Sequence, residues 1–85
     1  SFLMQQMELR EQLAEIQDAK DPESLISDIE QQITAQRKSL LKLLAATLAV
    51  NNPEQDLVAA DIIRKLKFFF KLQHELELIE QQLQD

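Results

Sequence analysis

Eighty-five residues allow one small domain, and 15 acidic against 9 basic side chains give a formal net charge of −6. That balance disfavours nucleic acid and anionic membrane as partners. The absence of Gly and Cys excludes phosphate-cradling glycine loops, disulfides and cysteine metal sites, while Leu, Gln, Glu, Ala and Lys dominate, so the class is all-α.

The first helix is predicted over residues 2–20. At about 100° per residue, Phe2, Leu9, Leu13 and Ile16 fall within about 60° of one another and make a core seam. Met4 and Met7 lie on the opposite side with Glu8, Glu11 and Glu15, and Leu3 sits at the edge of that group. A helix that only has to pack does not need methionines there. Ser1 runs straight into this pattern and reads as a cut end, so the native protein is expected to continue upstream.

Asp21-Pro22-Glu23-Ser24 closes the first helix and opens the second. Pro22 disfavours helical geometry at Asp21, Asp21 is an N-cap, and Glu23 lies near the positive end of the helix dipole. The second helix, predicted over 22–51, carries Leu25, Ile26, Ile29, Ile33, Leu40, Leu44 and Leu48 at helical spacing. Asn52-Pro53-Glu54-Gln55 repeats the start signal, with Gln55 placed to complete a capping box. The third helix, predicted over 53–84, carries Val58, Ile62, Leu66, Phe69, Leu72 or Gln73, Leu76, Ile79 and Leu83 as a heptad-like stripe. The apolar run from Leu43 to Val50 is far too short to span a bilayer. No membrane partner is expected, and the lack of Cys fits a reducing, cytoplasmic setting.

Short connections between three amphipathic helices imply an antiparallel up-down-up bundle with a shorter first helix, within a single domain of residues 1–85. Aligned from the Asp21 corner, residue k of helix one lies level with about residue 62 + k of helix three. Met4 and Met7 are then level with Phe68-Phe69-Phe70. Phe69 is on the core stripe; Phe68 and Phe70 flank it, and one of them is placed to join Leu3, Met4 and Met7. Residues 43–62 form a two-helix overhang that helix one leaves uncovered, open to an upstream domain or to a second copy of the chain.

Three candidate sites follow. The Leu3, Met4, Met7 patch with its glutamates reads either as a solvated terminal face or as a binding surface. In the second reading adaptable methionines form the contact centre, glutamates steer a basic partner, and affinity is about micromolar. Arg64, Lys65, Lys67 and Lys71 interleave with the Phe run as nucleic-acid sites do. The acidic chain speaks against that, and salt bridges to the helix-one glutamates are expected instead. His74, beside Glu75, Glu77 and Glu80, lacks a second His or Cys, so no metal site and no cofactor are expected. Nothing pairs a nucleophile with a base, and no enzyme is indicated.

The stretch FLMQQMELREQLAEI followed by Asp18-Ala19-Lys20-Asp21, with the block Ala59-Ala60-Asp61-Ile62-Ile63-Arg64-Lys65-Leu66-Lys67-Phe68, resembles the C-terminal domain of the HscB family. These are J-type co-chaperones of iron–sulfur cluster biogenesis. The resemblance is strong in those two blocks and weak through helix two. It implies a three-helix bundle that binds the scaffold protein IscU, and its scaffold-binding positions fall on Leu3, Met4, Met7, Glu8, Glu11, Glu15 and Phe68. The chain departs from the family pattern in having Met7 for a leucine and fewer acidic residues along helix one, which implies weaker steering.

The family's J-domain motif, His-Pro-Asp, is missing, since Glu75 follows His74. The resemblance therefore implies that partnership with the DnaK-type chaperone HscA belongs to a J-domain absent from this chain. Alanine at Met4 or Phe68 is expected to weaken scaffold binding and barely alter folding, since neither lies on a core stripe. The rival readings are a structural bundle that self-associates through the overhang and a ligand-binding bundle.

Overall fold

The protein is described here by a computed structural model covering residues 1–84; Asp85, the last residue of the predicted domain, lies outside them. Three helices form the up-down-up bundle expected: α1 over Phe2–Glu15, α2 over Pro22–Leu48 and α3 over Pro53–Gln84. Side-chain oxygens cap the helix starts. Ser1 Oγ accepts from the Met4 amide at 3.3 Å, Asp21 Oδ1 from the Ser24 amide at 3.2 Å, and Asn52 Oδ1 from the Glu54 amide at 3.0 Å. Pro22 and Pro53 each occupy a first helical position, where no backbone donor is needed.

Two ends differ from the sequence expectation. Helix one stops at Glu15 and continues only as a single 3-10 turn, Ile16–Asp18, before Ala19 turns extended at φ −71°, ψ 146°. The tighter turn keeps Ile16 fully buried while the chain swings toward the Asp21 cap. Helix two stops at Leu48 rather than Asn51, because the Val50 amide turns back to Thr47 O at 3.2 Å. At the start of α3 the backbone amide of Gln55 bonds Asn52 O at 2.9 Å, and among the described residues its side chain closes no capping box.

The core sits where all three helices overlap. Leu9, Leu13 and Ile16 from the first segment meet Ile26, Ile29 and Ile33 from α2 and Phe69, Leu72 and Leu76 from α3. Each fully buried side chain of this kind contributes about 1.5–3 kcal/mol of transfer free energy, so this nine-residue cluster dominates the stabilisation. The backbones of α2 and α3 approach closely along their length, whereas α1 sits nearer α2 than α3. Its link to α3 runs through long side chains.

The overhang is present. The molecule measures 49 × 22 × 15 Å, and its radius of gyration of 15.3 Å exceeds the roughly 12 Å of a compact chain this size. Outside the three-helix overlap the predicted stripes lose their cover. Leu48 (63% exposed), Val58 (44%) and Leu83 (45%) are not core residues. A strict seven-residue stripe drifts around a straight helix by about 20° per heptad, so neighbouring positions take the seam at the far end. Thr47 and Ala59 are buried there in place of Leu48 and Val58, and Thr47 satisfies its hydroxyl on Leu43 O at 2.8 Å.

Candidate functional site

The outward face of α1 follows from its inward one. With Leu9, Leu13 and Ile16 buried, residues about 180° around the helix must face solvent. Leu3, Met4 and Met7 do so at 64, 60 and 62% exposure, which is high for three large apolar side chains on one short helix. Glu8, Glu11 and Glu15 are exposed beside them, and none forms an ion pair among the described residues. On the helical wheel Leu3 and Met7 lie toward α3, while Glu8 and Glu15 lie toward α2.

Phe68 bounds this face on the α3 side. It is half-buried and packs against the core, with its ring centroid 5.6 Å from Phe2 and 5.1 Å from Phe69, both edge-on. Such aromatic pairs add about 0.5–1.5 kcal/mol each beyond simple burial. The expectation that Phe68 barely matters for folding is therefore corrected: its other edge is available to a partner, but the ring also closes the top of the core. The level argument agrees with the contacts, since Phe2 meets Arg64 and Phe68, and Arg10 meets Glu75.

Met7, Glu11 and Phe68 line one shallow groove between α1 and α3, together with Gln6, Arg10 and Lys71. Leu3 and Met4 lie near its N-terminal end on the same helix surface; Glu8 and Glu15 lie on the far flank and do not line it. The groove is open, apolar in its floor and mixed in charge at its walls. It has the features of a surface for protein contact and no convergent acid–base set for chemistry.

The other candidates disperse. Arg64 and Lys65 pair with Asp61 on their own helix at 2.8 and 3.1 Å, so the expected bridges to the α1 glutamates do not form. Those two cations hold the Asp61 carboxyl below the usual carboxylate range, chiefly through the Arg64 hydrogen bond and then Lys65. His74 is exposed, and no group of three or more metal-ligating side chains converges among the described residues. No helix among them is long and apolar enough to cross a membrane.

Comparison with known proteins places the chain. The family model described as the HSCB C-terminal oligomerisation domain matches residues 1–77. The chain belongs to the HscB C-terminal domain family. A co-chaperone protein HscB homolog of Photobacterium profundum is 54% identical over 80 residues, which is 94% of this chain and 45% of the relative. One from Shewanella sp. strain MR-4 is 48% identical over all 85 residues, 49% of its own length. The chain thus spans about half the length of the curated relatives it matches. Among solved structures, chaperone HscB from Vibrio cholerae superposes with a TM-score of 0.85 at 44% identity, over 96% of this chain and 48% of that one.

Within this HscB-type domain, the groove residues that sequence reasoning passed over are Gln6, Arg10 and Lys71. A signal for two of them was present: Gln6 and Arg10 are spaced i, i+4, on the flank of α1 that adjoins Met7. The Arg10 guanidinium carbon stands 5.7 Å from the Phe68 ring centroid, and its Nη1 pairs with Glu75 Oε2. Arg10 therefore ties α1 to α3 directly at the groove wall.

Proposed function

We propose that this chain is the scaffold-binding module of an HscB-type co-chaperone, with an IscU-type iron–sulfur scaffold protein as its partner. Leu3, Met4, Met7 and one edge of Phe68 form the desolvated contact centre. Glu8, Glu11 and Glu15 orient a basic surface of the scaffold. In the whole protein a J-domain then presents the bound scaffold to the DnaK-type chaperone HscA. The module itself performs no chemistry. It raises the local concentration of one partner beside the other.

The observation that carries this reading is the set of three large apolar side chains, each 60% exposed or more, on the outward face of the one helix whose inward face is fully engaged in the core. Flexible methionines suit a contact that must adapt, and unpaired glutamates suit a partner of opposite charge. Membership of the HscB family supports the choice of partner.

The test maps the contact. Addition of unlabelled IscU-type scaffold to the isotope-labelled chain is expected to shift the amide signals of Leu3, Met4, Met7, Glu11 and Phe68 and to leave the 43–62 overhang unmoved. Shifts confined to the overhang would contradict the assignment. A second reading, self-association through the hairpin tip, has its own observation: Leu43, Leu48, Val50 and Leu57 are all more than half exposed there. Sedimentation at rising concentration separates the two, because only self-association changes the sedimenting mass without a scaffold present.

A further inference from the structure

The net charge of −6 hides a sharp partition. Seven of the nine Lys and Arg residues fall in two stretches, 37–42 on α2 and 64–71 on α3. There is no acid between Glu30 and Glu54, and none between Asp61 and Glu75. The Arg37 guanidinium carbon stands 4.4 Å from the centroid of the Phe70 ring, which sets the two stretches side by side. The hairpin thus carries a cationic belt at mid-length. Toward the bundle end, the same side of the hairpin holds a depression lined by Glu23, Glu30 and Glu80.

One part of the belt is built differently from a solvated surface. Phe70 lies about 160° around α3 from Phe68, on the side turned away from α1, and is 47% exposed. Ile63, two turns earlier on the same face, and Leu41 on α2 are exposed as well. A shallow depression runs along α2 at Thr34, Arg37, Lys38 and Leu41. Arg37 is fixed over the ring with its Nε buried and unpartnered, and it forms no ion pair among the described residues. Lys38 and Lys67 flank the strip and are also unpaired among those residues.

We propose that this face is a second docking surface, for an acidic amphipathic helix of another protein. Apolar side chains of that helix pack on Phe70, Leu41 and Ile63, while its carboxylates engage Arg37, Lys38 and Lys67. A guanidinium already held over an aromatic ring gives up little freedom on accepting a carboxylate. The basic residues span about two helical turns on each helix, and on α3 Asp61 and Glu75 close the acid-free stretch about four turns apart, so a long polyanion would meet repulsion beyond it while an acidic helix of about that length would not. A second copy, whose acidic depression lies on the same side as its belt, is the competing occupant, and the peptide-free chain's self-association decides against or for it. The surface is independent of the α1 face and does not rest on the scaffold-binding reading.

The probe is a designed peptide of about four helical turns, with leucines at i, i+4 flanked by glutamates, and a control in which glutamines replace the glutamates. Titrated into the isotope-labelled chain, the acidic peptide is expected to shift Arg37, Leu41, Ile63 and Phe70 and to leave Met4 and Met7 in place. Raising salt from about 0.1 to about 1 M shortens the screening length from about 10 to about 3 Å and should weaken the binding about tenfold. The double variant Lys38→Glu with Lys67→Glu touches only exposed positions, so its helical spectrum should be unchanged while saturable binding is lost. Equal affinity for the glutamine control, shifts on the α1 face instead, full binding by the double variant, or no saturable binding at millimolar peptide would each overturn the proposal. So would self-association of the peptide-free chain through these same residues.

Discussion

Met4 and Phe68 serve one face but carry different structural burdens. Met4 is exposed and does not belong to the buried cluster, so Met4→Ala should leave thermal stability unchanged and cost about 1–2 kcal/mol of scaffold binding. Phe68 packs on Phe2 and Phe69, so Phe68→Ala should cost a similar amount of binding and also about 2 kcal/mol of folding stability. Calorimetric melting of the two variants checks the split, and an unchanged melting temperature for Phe68→Ala would contradict the packing described. Asp61 supplies a pH test. Its folded carboxyl is held below its ordinary value by Arg64 and Lys65, so its contribution to stability is present above the unfolded pKa and is lost as pH falls through the folded one. A carbon-detected titration should place the Asp61 midpoint below that of an unpaired aspartate, and in Arg64→Gln it should rise.

At the level of the helices, the caps and one cross-helix strut set the geometry of the face. Asp21→Ala removes the side-chain acceptor for the Ser24 amide and should destabilise the bundle by about 1 kcal/mol in denaturant unfolding, without altering the exposed face of α1. The Arg10–Glu75 pair bridges α1 to α3 beside Phe68. Glu75→Gln should leave the fold intact yet weaken scaffold binding, through a less constrained Arg10 and Phe68, and no effect on binding would mean that the strut has no part in the site. Much of this level was legible beforehand. The Asp-Pro and Asn-Pro starts marked two boundaries, and the outward set of Leu3, Met4, Met7 and three glutamates was the complement of a clear apolar seam. Lengths put Phe68 and Phe70 level with that set, and the family resemblance singled out Phe68. What the pattern did not contain was tertiary. Arg10 reads as one more surface charge until Glu75 is known to lie opposite, and Asp61 outcompeted the α1 glutamates for Arg64 and Lys65 because it stands one turn away on the same helix.

Taken as a whole, the molecule is a three-helix bundle at one end and a two-helix hairpin at the other, and that asymmetry governs where it is stable. The nine-residue cluster is confined to the overlap, so amides near Ile29, Ile33 and Leu72 should exchange with solvent slowly, and those from Leu43 to Ile62 much faster. The same asymmetry explains why a regular apolar stripe misjudged Leu48, Val58 and Leu83: periodicity reports which face is apolar, while two helices without a third bury only the narrow line between them, where Thr47, Ala59 and Ile62 sit. The central claim is that the α1 face binds an iron–sulfur scaffold protein. Isothermal titration of the chain with an IscU-type scaffold, at low and moderate salt, tests it most directly. The expected result is roughly micromolar binding that weakens as salt rises and is lost when Met4 and Met7 are both changed to alanine in a chain that still folds. Binding of undiminished strength by that double variant, or no binding by the folded chain, would contradict the account.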